Sequence, residues 1–502
     1  MGVLDNLLFG FQVALDPNNL LFCFIGVVVG TLVGVLPGIG PAGAIGLLLP
    51  ATFRMSPTSA IIMLAGIYYG AMYGGSTTSI LVNIPGEAAS VVTCLDGYQM
   101  ARQGRAGPAL GIAAWGSFIA GTLSIIGLIL VANPLARVAL RFGPPEYFAL
   151  ICTGLILVTY LSQGSILKAL MMALVGILIG NIGLDMVNAL PRFTFGLIEL
   201  EDGVGIVPMV MGLFGISEVL NNLEQGLGQR EIFQTRIRNV WPSLKDWAEA
   251  KWAIARGSII GFFLGILPGG GAVLSSFVSY AVEKKVSKHP EKFGKGVIEG
   301  VAAPESANNA AAGGSLIPLV SLGIPANPAM AMLFSALIIY GIQPGPLFIK
   351  NNPDLFWGLV ASMYLGNVLL LLLNLPMIGL WVQVLKVPYR ILFPLILLFC
   401  LIGAYSLNSS SFDLILMILF GILGYLMKKF KYDGAPLVLA FVLGPILEQS
   451  LRRSLMISGG SFTIFFTRPI ACSTLSFAFL LLLSNIFPYI KKRRHEYREF
   501  EE

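Results

Sequence analysis

Four long apolar segments without a single charged residue constrain the fold more than any other feature of this sequence. No Asp, Glu, Lys or Arg occurs in 17–53, 55–86, 257–282 or 306–349. An uncharged apolar run longer than about 18 residues is typical of a membrane-spanning helix. Only 12% of the 502 residues are charged, against roughly 25% in an average soluble domain. The sequence therefore predicts an all-α polytopic membrane protein and excludes a soluble globular fold.

The residues that usually carry catalysis or metal binding give little support to an enzyme. The five cysteines lie apart in apolar segments, which is typical of small buried residues rather than of disulfides or a metal site. The two histidines, His289 and His495, lie in basic loops, and no nucleotide-binding or zinc-protease motif occurs. An intramembrane enzyme remains an alternative, although the apolar segments offer almost no Lys or Asp. We interpret the net charge of +6 as a topology signal and expect no nucleic-acid partner.

The sequence repeats itself across two halves. Residues 30–40 (GTLVGVLPGIG) and 261–271 (GFFLGILPGGG) share the pattern GxxxGxLPGxG. Further along, 74–86 (GGSTTSILVNIPG) matches 313–326 (GGSLIPLVSLGIPA) with one inserted residue. Ordered matches at a nearly constant offset are typical of an internal repeat.

The repeat and the charged loops together predict six segments. In order, these are an N-terminal interfacial segment 1–16, transmembrane repeat 1 at 17–225, a basic cytoplasmic linker 226–253, transmembrane repeat 2 at 254–451, a C-terminal transmembrane segment 452–490 and a cytoplasmic tail 491–502. Lysine and arginine concentrate in the linker and the tail, so the positive-inside rule places both in the cytoplasm.

Charge placement further predicts that the two repeats have opposite orientations. Basic loops flank 257–282 on both sides, which places both of its ends in the cytoplasm. Because LPGGG lies near its middle, we expect a re-entrant hairpin there. The equivalent segment 17–53 has few basic neighbours and is expected to open to the outside. The fold class is then two inverted-topology repeats with re-entrant hairpins and broken helices, and about 11 crossings in total.

The hairpin tips are the first part of a predicted anion site. The first tip contains Gly38 and Gly40, and the second contains Gly269 and Gly270. Their backbone N–H groups lie at the start of a returning helix, where the helix dipole favours an anion. The alternative is that both tips are only tight turns packed against protein.

Polar clusters in the broken helices are the second part of that site. Hydroxyl and amide groups bind carboxylates through neutral hydrogen bonds, and carbonyls freed at helix breaks coordinate cations. Alternatively, a single hydroxyl bonds back to its own helix or joins neighbouring helices. The predicted binding residues in these clusters are Ser76, Thr77, Asn83, Gly86, Asn308, Asn309, Ser315 and Pro325.

Glu305 directly precedes the longest uncharged run of the chain. An ionisable group at membrane depth is a candidate proton carrier or cation ligand. The competing interpretation makes Glu305 an acidic residue at a helix start after Pro304, at the membrane surface. The sequence alone favours neither.

Three blocks of the chain resemble a known family. They are GTLVGVLPGIGPAGAIGLLLP at 30–50, GIYYGAMYGGSTTSILVNIPGEAASVVTCLDGYQMARQGRAGPALGIAA at 66–114, and EGVAAPESANNAAAGGSLIPLVSLGIPANPAMAMLFSALIIYGIQPGP at 299–346. The sequence is similar to the large membrane subunit of tripartite tricarboxylate transporters, the TctA-like proteins.

This resemblance implies uptake of small organic carboxylates such as citrate across a bacterial inner membrane, coupled to Na⁺ or H⁺. It implies two protein partners, a small membrane subunit and a periplasmic solute-binding protein, and an elevator-type motion. No cofactor beyond the coupling ion is expected. The alternative function is a passive organic-anion channel.

Overall fold

A computed structural model describes residues 2–36, 40–161, 165–185, 188–224, 240–269, 271–384 and 389–483. Gly38 and Gly270 of the predicted tips lie outside the described residues, as do 226–239 of the predicted linker and the predicted tail 491–502.

The described residues are mainly helical. The α-helices are α1 Val3–Ala14, α2 Pro17–Val35, α3 Gly40–Leu48, α4 Pro57–Val82, α5 Val91–Arg102, α6 Ala106–Ala139, α7 Pro144–Leu161, α8 Ile166–Gly180, α9 Ile206–Val210, α10 Ser217–Glu224, α11 Leu244–Ile266, α12 Gly271–Val286, α13 Glu299–Gly314, α14 Leu316–Leu322, α15 Pro328–Ile339, α16 Phe348–Asn351, α17 Pro353–Asn374, α18 Ile378–Val384, α19 Tyr389–Asn408, α20 Ser411–Lys429, α21 Gly434–Ile457, α22 Ile464–Thr467 and α23 Pro469–Leu483. A π-helical turn, Met211–Ile216, joins α9 to α10. Two short strands, β1 Gly183–Leu184 and β2 Pro191–Arg192, pair antiparallel.

Six helical segments in the described part of the chain are long and apolar enough to cross a membrane. They are Pro17–Val35, Ala106–Ala139, Ile206–Glu224, Pro353–Asn374, Ser411–Lys429 and Gly434–Ile457. The predicted all-α, multi-pass membrane protein is thereby confirmed. The number of about 11 crossings also depends on the shorter and interrupted helices, and it stays a prediction.

The helices form two compact units. The first comprises Met1–Ala139 and Gly205–Lys428, and the second comprises Leu140–Val204 and Lys429–Glu502. The predicted hairpins and broken helices all belong to the first unit. The boundaries of the six predicted segments are based on the sequence repeat and the charged loops. The two units are defined by packing, so they do not test those boundaries.

Within the second unit, two arginines and two carboxylates join the strand region to α21. Arg192 Nη1 lies 2.7 Å from Glu448 Oε1, and Arg452 lies 2.9 Å from Asp185 Oδ2 and 2.8 Å from Glu448 Oε1. Asp185 is only 5% exposed. These ion pairs hold the β1–β2 region against the C-terminal half of α21.

In the first unit, each predicted hairpin segment contains two helices: α2 and α3 in the first, and α11 and α12 in the second. The helix α11 begins well before the uncharged run, because Ser243 caps it. The Ser243 hydroxyl accepts a hydrogen bond from the Asp246 N–H, and the Asp246 carboxylate accepts one from the Ser243 N–H. Whether these hairpins are re-entrant in a bilayer stays a prediction.

Both predicted broken helices are interrupted at the same point of the repeat. The helix α4 ends at Asn83, whose φ of 58° is left-handed, and α14 ends at Gly323 with a φ of 71°. An Ile–Pro pair follows each of these residues. Because proline cannot donate to a helix ladder, neither helix continues.

Each hairpin packs against the broken helix of its own half through small residues. A Cβ atom on Gly34 would lie 2.3 Å from the Ala71 carbonyl oxygen, and one on Gly261 would lie 2.1 Å from the Ala307 carbonyl oxygen. Real Cβ atoms do not approach a carbonyl so closely, so these positions require glycine. The GxxxG steps thus form close helix contacts.

Candidate functional site

Glu305 lies fully buried in the middle of α13, where two hydroxyl groups from the first half hold its carboxylate. Ser76 Oγ donates to Oε2 at 2.5 Å, and Thr93 Oγ1 donates to Oε1. Because α13 begins at Glu299, the interpretation of Glu305 as a helix-start residue is wrong. Its burial at the contact between the two halves agrees with a functional carboxylate.

A second buried carboxylate, Glu87, follows the break after α4. Its Oε2 accepts a hydrogen bond from the Ala89 N–H at 2.6 Å, and its Oε1 accepts one from Asn308 Nδ2 at 3.1 Å. The Glu87 side chain is only 7% exposed. Asn308 therefore connects α13 of the second half to the segment after the break of the first half.

Asn327 occupies the position after the second break that corresponds to Glu87. Its Oδ1 accepts a hydrogen bond from the Met330 N–H at 3.0 Å, and its Nδ2 donates to the Tyr68 hydroxyl at 3.1 Å. The Tyr68 hydroxyl lies 3.4 Å from Ser315 Oγ. This second cluster contains hydroxyl and amide groups but no carboxylate.

The tip of the second hairpin lies beside this neutral cluster. The Gly269 N–H donates to the Ala326 carbonyl at 2.9 Å. A Cβ atom on Gly271, the first residue of α12, would lie 3.9 Å from the Asn327 Cβ. The N-terminus of α12 is thereby close to Asn327, as the predicted anion site requires.

The other predicted residues have varied surroundings. Gly40 has a φ of 65° with open space around it, and Asn83 is exposed at the end of α4. Gly86 is buried so tightly that a Cβ would lie 2.0 Å from the Gly34 carbonyl oxygen. Asn309 donates to Ser117 Oγ at 2.7 Å, so its amide joins two helices. Pro325 is buried in the second break.

A small cavity of about 10 Å³, enough for about one water molecule, lies next to the Glu305 cluster. Its lining residues are Tyr73, Ser76, Thr77, Leu110, Ala113, Ala114 and Asn374. Ser76 therefore faces the cavity and also bonds to Glu305. The amide oxygen of Asn374 is buried without a hydrogen-bond partner, so the cavity offers an unused acceptor.

The two buried glutamates, Glu87 and Glu305, are not paired with a basic side chain in the part of the chain that the structure describes. Burying a carboxylate without a compensating charge is costly, so such a group binds a proton or a cation.

A family model described as the tripartite tricarboxylate transporter TctA family matches residues 20–439, which include every predicted site residue. The chain belongs to this TctA family. The resemblance seen in the sequence is thus confirmed, and family membership makes the chain the membrane subunit of a tripartite tricarboxylate transporter. Such systems include a small membrane subunit and a periplasmic binding protein.

Two relatives of this TctA chain come from Agrobacterium vitis. An uncharacterized 52.8 kDa protein in the TAR-I ttuC′ 3′ region is 54% identical over 98% of both chains. A shorter protein in the TAR-II ttuC′ 3′ region is 54% identical over 47% of this chain and 98% of its own length. No solved structure matches the TctA chain.

In this TctA chain, the structure brings Ser76, Asn308 and Glu305 into one cluster and Ser315 and the second tip into another. Four members are not among the predicted binding residues: Tyr68, Glu87, Thr93 and Asn327. The repeat contained a usable signal, because it aligns Glu87 with Asn327 directly after the Ile–Pro–Gly and Ile–Pro–Ala triplets.

Proposed function

We propose that this TctA chain is the permease subunit of an ion-coupled importer of small di- and tricarboxylates. It receives substrate from a periplasmic solute-binding protein and works with a small membrane subunit in a bacterial inner membrane, with its C-terminus in the cytoplasm. Family membership, the apolar helices and the two polar clusters support this proposal. The proposal includes an elevator-type motion, as the family resemblance implies.

The carboxylate binds, in this proposal, at the neutral cluster of Tyr68, Ser315 and Asn327 beside the second hairpin tip. The observation that carries the assignment is the contact between Asn327 and Tyr68 next to the start of α12. Hydroxyl and amide groups donate to an anion without adding negative charge, and the N-terminus of α12 adds a favourable dipole.

The coupling ion, Na⁺ or H⁺, is assigned to Glu305. Its support is the complete burial of this carboxylate and the hydroxyl groups around it. Binding of a positive ion there would compensate the buried charge, and the combined binding of ion and substrate would link import to the ion gradient.

Uptake into sealed proteoliposomes tests this function. The vesicles would contain the chain and its small membrane subunit, with the binding protein and radiolabelled di- and tricarboxylates outside. We expect accumulation above equilibrium with an inward Na⁺ or H⁺ gradient, and no accumulation of a monocarboxylate control. Flux that only equilibrates the substrate would contradict the importer and favour a passive anion channel.

A further inference from the structure

Two buried carboxylates, one from each half of the chain, lie near Asn308: its amide nitrogen donates to Glu87, and Glu305 lies three residues before it in α13. We propose that Glu87 and Glu305, connected by Asn308, form one binding site for a monovalent cation, Na⁺. The identification of this ion as the coupling ion rests on the proposed function, whereas its binding does not require transport.

The geometry places the three side chains together. Asn308 follows Glu305 by three residues in α13, so both side chains lie on the same face of that helix. Asn308 Nδ2 donates to Glu87 Oε1 at 3.1 Å. Asn308 therefore connects Glu87 of the first half to the helix face that carries Glu305 in the second half.

The amide oxygen of Asn308 points independently to a ligand. This side chain is only 1% exposed, and its Oδ1 is buried without a hydrogen-bond partner. Buried acceptors in proteins are nearly always satisfied. The nitrogen of the same amide contacts Glu87, so this free oxygen lies at the carboxylate cluster. A positive ion would satisfy it.

The donor set favours a monovalent ion. Every carboxylate oxygen of Glu87 and Glu305 already accepts a hydrogen bond from Ala89, Asn308, Ser76 or Thr93. Ca²⁺ requires about six to eight oxygen ligands, and Mg²⁺ keeps several waters. This buried cluster therefore offers fewer free oxygens than Ca²⁺ needs.

The cavity beside Ser76 gives the ion an approach. Ser76 lines that cavity and also donates to Glu305 Oε2. Tyr73, Thr77 and Asn374 contribute further oxygen atoms to its wall, and no charged residue lines it. A cation entering the cavity therefore meets neutral oxygens first and the carboxylates behind Ser76.

Binding of radioactive Na⁺ to the purified full-length chain in nanodiscs tests the site without transport. We expect saturable binding at mildly alkaline pH and an Na⁺-dependent rise in the temperature of thermal unfolding. Glu87→Gln and Glu305→Gln should each weaken binding about 100-fold, because each removes one charge of a buried cluster. Asn308→Ala should weaken it about tenfold.

Glu291→Gln is the matched control, because this carboxylate is 62% exposed on a loop; it should bind Na⁺ like the wild type. If a glutamine variant fails to fold, Glu87→Asp and Glu305→Asp keep the charge and should bind Na⁺ with intermediate affinity.

Undiminished Na⁺ binding by Glu87→Gln would overturn the two-carboxylate site. Displacement of Na⁺ by an equal concentration of Ca²⁺ or Mg²⁺ would overturn its monovalent character. If no Na⁺ binds and a pH gradient alone drives uptake, the cation site is wrong while the importer stands. Conversely, Na⁺ binding without any carboxylate uptake would contradict the proposed function alone.

Discussion

The two halves of the molecule share a backbone plan but differ in charge. In both, a helix ends at a left-handed residue, an Ile–Pro pair follows, and the side chain two positions beyond the proline caps the next turn. That capping residue is Glu87 in the first half and Asn327 in the second. Each contacts the opposite half: Glu87 bonds to Asn308, and Asn327 bonds to Tyr68.

This reciprocity is typical of two units related by a two-fold axis, and it supports the predicted repeat. The opposite membrane orientation of the halves stays a prediction. The difference between Glu87 and Asn327 suggests how one repeated scaffold serves two ligands of opposite charge. The carboxylate side suits a cation, and the amide side suits an anion.

The largest expected effect comes from giving the second half the carboxylate that Glu87 provides in the first half. Asn327→Glu would place a carboxylate at the neutral cluster, where it would repel a carboxylate substrate. We expect uptake to fall about 100-fold, since a like-charge contact costs several kcal/mol. Uptake into proteoliposomes measures this loss.

Two controls accompany the Asn327 variant. Asn327→Gln keeps the site neutral and should retain most of the uptake, and Na⁺ binding by Asn327→Glu should be normal if the chain is folded. Near-normal uptake by Asn327→Glu would show that the anion binds elsewhere.

A change in the tightly packed break after α4 should have the next largest effect. Gly86→Ala would place a Cβ 2.0 Å from the Gly34 carbonyl oxygen, so the first break must move. Overpacking of this kind costs about 1–3 kcal/mol. We expect a lower temperature of thermal unfolding and reduced uptake together.

Gly379→Ala is the matched control, because a Cβ there meets no atom within 4 Å. It should leave both the unfolding temperature and uptake unchanged. Equal unfolding temperatures of the two variants would show that the segment after α4 shifts without loss of stability. The packing around Gly86 would then be less rigid than the distances indicate.

The sequence predicts where the helices break better than it predicts which side chains contact one another. Glycine and proline inside apolar segments act locally, so both helix breaks follow from the residues themselves. The bond between Ser76 and Glu305 joins residues 229 positions apart, and no local pattern specifies which helix faces meet. Composition likewise predicts Asn309 as a ligand although its amide contacts Ser117.

Glu87 and Tyr68 were missed for separate physical reasons. Glu87 ends an uncharged run, where a carboxylate ordinarily faces water, and its burial depends on the fold of the other half. Tyr68 lies in an apolar stretch, where an aromatic side chain ordinarily packs in the core. Its contacts with Asn327 and Ser315 show that its hydroxyl belongs to a polar cluster.

The smallest expected effects come from removing single hydroxyl groups. These variants best distinguish the roles of the two clusters. Removing one hydrogen bond costs about 0.5–1.5 kcal/mol, or about 2–10-fold in affinity. Tyr68→Phe should raise the substrate concentration for half-maximal uptake by that factor and leave the Na⁺ dependence unchanged. Ser76→Ala should do the reverse, because Ser76 donates to Glu305. Kinetics measured at varied carboxylate and varied Na⁺ distinguish the two variants, and identical behaviour would mean that cation and anion share one cluster.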